Sequence, residues 1–192
     1  MAGDTAAEAV ENFLRPLQRA LACVTNGVLS DGGGRHASPV KHPEHTYVLT
    51  LYNSPAVLGR DKQFAIDFAQ QYRVVEGEGQ RGPWKVSTVA YHYTLLIAES
   101  GEEVLGYHWH PTGHSDVTYP HLHLYAGAGT LHHNLRKAHL PTARIAMEDV
   151  LRFVITQLRV VPLRGDWTVI LTETQAAFEQ WRLWAGSHPP DA

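Results

Sequence analysis

"WKVSTVAYHYTLLIAESGEEVLGYHWHPTGHSDVTYPHLHLY", residues 84–125, reads as three consecutive β-strands. The runs WKVSTVAYHYTLLIA, EVLGYHWH and HLHLY are rich in β-branched and aromatic residues. The segments between them, ESGE and PTGHSDVTYP, have the composition of turns and loops. Connections this short join antiparallel neighbours rather than parallel ones. The stretch also crowds five histidines into its last twenty positions: His108, His110, His114, His121 and His123.

Alternate residues of a strand point to the same face, so His108 and His110 share a face, as do His121 and His123. A hairpin closing around residues 111–120 predicts His110 opposite His121 and His108 opposite His123. Facing rings would then stand about 5 Å apart across strands and about 7 Å apart along them. A two-residue turn at Ser100-Gly101 predicts Tyr93 opposite His108 and Tyr91 opposite His110, with Tyr125 on the same face. The other face would carry Leu96, Leu105, Trp109, Leu122 and Leu124, an apolar surface for helices to cover. A slip of one residue would move a strand's whole set to the other face.

Helices are expected on both sides of this stretch. In residues 1–24, Val10, Phe13, Leu14, Leu17, Leu21 and Val24 recur at helical intervals behind a Thr5/Glu8 capping box, with Pro16 expected to kink or divide the helix. Residues 25–45 read as loop, 46–53 as strand, and 61–73 as either strand or helix. Residues 146–184 hold two helical patterns. One is the stripe Met147, Val150, Leu151, Val154, Ile155 and Leu158; the other has capping spacing at Thr172 and Gln175. The expectation is a single α+β domain over residues 1–192, an antiparallel β-sheet with helices packed mainly on one face.

Composition bounds the partners. The chain is 44% hydrophobic and 18% charged with a formal net charge of −3, which argues against a broad electrostatic grip on nucleic acid but not against one local RNA contact. The single cysteine, Cys23, excludes an internal disulfide and a multi-cysteine zinc cage. No apolar run approaches the ~18 residues of a membrane span, and the N-terminus lacks the features of a signal peptide. A cytoplasmic location is expected.

The clustered histidines suit two chemistries and one bland alternative. Three imidazoles with an open position form a known catalytic site for a divalent ion such as Zn²⁺, here His108, His110 and His121. Histidines also titrate near neutrality, so His108, His110, His121 and His123 can act as acid and base, with Tyr91 and Tyr93 as catalytic partners. Cleavage of RNA through its own 2′-hydroxyl needs chiefly those proton transfers and a donor to the phosphate, and Arg136 and Lys137 are candidates for RNA contact. The alternative is a set of hydrogen-bonded strand histidines without chemistry. Two H-x-H pairs of compatible parity weigh against it.

The order YHY (91–93), YHWH (107–110), PHLH (120–123) and HLPTARIAMEDVLRF (139–153) resembles the TumE-type toxins of bacterial toxin–antitoxin pairs, over residues 85–158. The resemblance implies a toxin-like ribonuclease neutralised by a cognate antitoxin with a DNA-binding domain. It places weight on Tyr91, Tyr93, His108, His110, His121 and His123. The N-terminal 80 residues lie outside it. The expected function is therefore acid–base RNA cleavage, with a metal-dependent hydrolase or a non-catalytic partner-binding protein as alternatives.

Overall fold

The computed structural model describes residues 2–77, 82–112, 116–129 and 139–181. Its elements, in chain order, are β1 (Ala2–Gly3), α1 (Ala6–Leu21), β2 (Leu29–Ser30), β3 (Tyr47–Leu51), β4 (Ala56–Val57) and β5 (Phe64–Glu76). There follow β6 (Trp84–Ile97), β7 (Glu103–Trp109), β8 (His121–Leu124), β9 (Leu140–Pro141), α2 (Met147–Thr156) and α3 (Trp167–Trp181). The nine strands among the described residues form one antiparallel sheet in the order β2-β3-β5-β6-β7-β8-β9, with β1 paired to β6 and β4 to β5. The fold is α+β, as expected. Residues 61–73, ambiguous in periodicity, belong to the long strand β5.

The sheet's core face carries Phe68, Tyr72, Tyr91, Tyr93, Leu95, Leu105 and Trp109, all buried. Against it lie Val10, Phe13, Leu14, Leu17 and Leu21 of α1, Val150, Leu151 and Val154 of α2, and Ile170 and Leu171 of α3. Each fully buried large side chain stabilises the fold by about 1.5–3 kcal/mol relative to exposure. That burial is why α1 runs unbroken from Ala6 to Leu21 through Pro16, although an internal proline removes a backbone bond and costs about 3 kcal/mol. Thr5 caps α1 as expected, its hydroxyl accepting from the Glu8 amide at 3.1 Å.

α3 begins earlier than the Thr172/Gln175 spacing predicts. Thr172 lies inside the helix, its hydroxyl donating to the Thr168 carbonyl at 2.7 Å. Gln175 instead joins the two C-terminal helices: its amide donates to Asp149 at 2.8 Å and its oxygen accepts from Arg152 at 3.3 Å. Asp149 in turn accepts from the Ala146 amide at 3.1 Å, capping α2 where the helix dipole favours an acid. No helix among the described residues is long and apolar enough to cross a membrane.

Candidate metal centre

The histidines occupy the sheet face opposite the helices. Two rows of register build the cluster. One row runs Ala69, His92, His108, His121, Pro141 across β5, β6, β7, β8 and β9. The next runs Asp67, Thr94, Gly106, His123, and the β8–β9 register continues it to His139. His110 follows the last residue of β7, where Pro111 removes the next backbone donor and ends the strand.

Two expected registers need correction. His108 pairs with His121, and His123 with Gly106, two residues from the predicted pairing. A shift of two preserves the faces, and it lets Leu105 meet Leu124 and Tyr107 meet Leu122 on the core side. The second correction changes faces. His92 pairs with His108, while Tyr91 pairs with Trp109 and Tyr93 with Tyr107. Leu96 pairs with Glu103 and Leu95 with Leu105, leaving Val104 as an extra, bulged residue on β7. The slip of one residue removes Tyr91 and Tyr93 from the histidine site and buries them among Phe68, Trp109 and the helices. It also puts Leu95, not Leu96, in the core.

Tyr91 and Tyr93 are structural. Their rings stack at 4.7 Å, and Tyr93 stacks on Phe68 at 5.3 Å. The Tyr93 hydroxyl donates to Gln70 at 3.1 Å, and the Tyr91 hydroxyl accepts from the Ile145 amide at 3.1 Å. Burial pushes the Tyr91 phenol up to about 12 and the Tyr93 phenol well above its ordinary value.

The four predicted histidines do converge. Ring centroids lie 5.7 Å apart for His108–His121, 4.7 Å for His108–His123, 5.4 Å for His110–His121 and 4.8 Å for His121–His123. Sequence reading missed two further members. The His92 ring meets His108 edge-on at 4.2 Å, and its Nε2 lies 2.7 Å from the Thr94 hydroxyl. His139 lies 5.0 Å from His121 and 4.7 Å from His123. Tyr125 stacks on His123 at 5.8 Å, on the face that parity predicted.

Gly106 was also missed. A Cβ there would lie 2.6 Å from His108 Nε2, so the absent side chain leaves the space into which the His108 ring leans. A glycine inside a strand is the signal that could have found it. Arg136, Lys137 and His114 lie outside the described residues.

The electrostatics favour neutral rings. Burial, then the neighbouring His92, His123, His121 and His110, hold His108 down to about 3. Burial and then His121, His139 and the other rings hold His123 down to about 4. His121 is also lowered, by burial first, against the opposing effect of its bond to the Tyr119 carbonyl. His121 Nδ1 lies 2.8 Å from that carbonyl oxygen, which can only accept, so Nδ1 carries the proton and Nε2 keeps the lone pair. His121 is 1% exposed, and neither its Nε2 nor His108 Nε2 has a hydrogen-bond partner among the described residues.

Among the described residues, two groups of three can close on an ion. One ring nitrogen each of His108, His110 and His121 lie within 4.8 Å of one another, and the same holds for His121, His123 and His139. Neither group contains a carboxylate. Zn–N bonds of about 2.0–2.1 Å in tetrahedral geometry set nitrogens about 3.4 Å apart, a contraction within reach of small side-chain rotations. The first group is the metal set read from the sequence. The chain matches no family model, no curated protein and no solved structure.

Proposed function

We propose that the histidine face is the metal centre of a hydrolase, with His108, His110 and His121 as ligands. The observation that carries this reading is the pair of buried, unpartnered imidazole nitrogens, His108 Nε2 and His121 Nε2. A buried polar atom without a partner costs about 1–3 kcal/mol, and a bound cation removes that penalty by taking both lone pairs. The Tyr119 carbonyl holds the His121 tautomer in the manner of the outer partners that orient metal-bound histidines. Rings held near 3 or 4 are neutral at pH 7, ready to bind a metal without first losing a proton. An ion held by neutral nitrogens keeps its full charge, which acidifies a bound water and polarises an ester or phosphoryl oxygen.

The test is the metal content of untagged protein purified without chelators, by elemental mass spectrometry. About one equivalent of a transition metal, lost in His121→Ala, is expected. Folded, active protein without metal would overturn the reading.

Acid–base cleavage of RNA by a toxin-like protein is the second reading. Exposed His139 at the rim and Tyr125 stacked on His123 favour it, as a proton carrier and a surface for a base. It requires growth arrest on expression of the chain alone, relief by a cognate antitoxin, and loss of arrest in the His121→Ala/His123→Ala double variant.

A further inference from the structure

Resting on the metal reading, we propose that the cluster is one metal site with two seats that share His121. The inner seat is His108, His110 and His121. The outer seat is His121, His123 and His139, through which the ion enters from solvent before passing inward.

The sharing follows from hydrogen bonding. His121 belongs to both groups, and with its Nδ1 committed to the Tyr119 carbonyl it keeps a single lone pair, on Nε2, to offer them. One lone pair binds one ion, and the two seats cannot both be filled. The direction follows from burial: His139 of the outer seat is exposed, whereas His108 and His110 of the inner seat are both half-buried. Passage exchanges two nitrogens for two others of the same kind while the His121 bond persists. Either seat offers three imidazole nitrogens, so the ion meets the same kind of ligand set before and after passage. The exchange is short-range, since the His108 and His123 rings are 4.7 Å apart, with His108 leaning over Gly106.

Cobalt(II) added to metal-free protein tests this, because its visible absorption reports ligand number and geometry. Wild-type protein is expected to saturate at one equivalent. His139→Ala should reach the same final spectrum several-fold more slowly. His110→Ala should still bind one equivalent, with an altered spectrum and weaker affinity, in the outer seat. His121→Gln should bind none tightly while keeping a wild-type circular dichroism spectrum. Saturation at two equivalents, wild-type loading by His139→Ala, or complete loss of binding in His110→Ala would each overturn the two-seat arrangement while leaving the metal centre standing. No cobalt binding by wild-type protein would overturn both.

Discussion

The two faces of the central strands use neighbouring residues of the same backbone for opposite ends. On the helix-covered face, Phe68, Tyr93 and Tyr91 stack nearly parallel, at interplanar angles of 3° and 9°, and both tyrosine hydroxyls are hydrogen-bonded. On the other face, His92, His108, His121 and His123 meet edge-on or tilted, and two of their nitrogens have no partner. A satisfied aromatic layer stabilises the sheet. An unsatisfied imidazole layer costs stability and keeps lone pairs available, as the proposed metal centre requires.

Removing a large side chain from each face should break the symmetry most visibly. Trp109→Ala is expected to lose about 3–5 kcal/mol of stability, whereas metal-free His108→Ala should lose less than about 1 kcal/mol, because it also removes a buried nitrogen without a partner. Denaturant unfolding of both variants checks this, and equal losses would mean that the histidine face is ordinary core. Gly106→Ala should act on one face alone. Its Cβ displaces the His108 ring, and metal affinity should fall by about 10–100-fold, the range seen when support of a ligand is lost, while the circular dichroism spectrum is unchanged.

Acid should separate the faces by sign. His108 and His123 titrate near 6.5 when unfolded but near 3 and 4 when folded. Between those values the unfolded chain binds more protons, so metal-free protein loses stability as pH falls below about 6.5. His108→Ala should flatten that limb. Glu148 on the helix side runs the other way: burial raises its carboxyl above 4.5, and one of its oxygens has no partner. Its contribution is complete below 4.5 and is lost as pH rises through the folded value. Glu148→Gln should therefore raise stability slightly near neutrality and steepen the loss below about pH 6.5, because the opposing gain from protonating Glu148 is gone; thermal unfolding against pH reads both effects.

The legible parts were those governed by local pattern. The apolar spacing along α1 and α2, the β-branched and aromatic runs of β6 and β7, and the H-x-H parity each follow from a single element's sequence. Tyr91 and Tyr93 were misplaced because the register was counted from a two-residue turn at Ser100-Gly101 with no bulge, although YHYTL alternates large rings with His92 and Thr94. Reading the tyrosines as core would have placed His92 beside His108. His139 escaped because β9 pairs with β8 across a connection whose length carries no register.

Chain chemistry alone settled the fold class and the parity of the histidine pairs, since a strand's period of two is a property of its own backbone. Tertiary structure decided the rest. The bulge at Val104 set which residues of β6 share a face with His108, and β9 brought His139 to His123. Register and the meeting of β8 with β9 depend on pairing between strands, because packing of the whole core chooses among local arrangements of nearly equal energy.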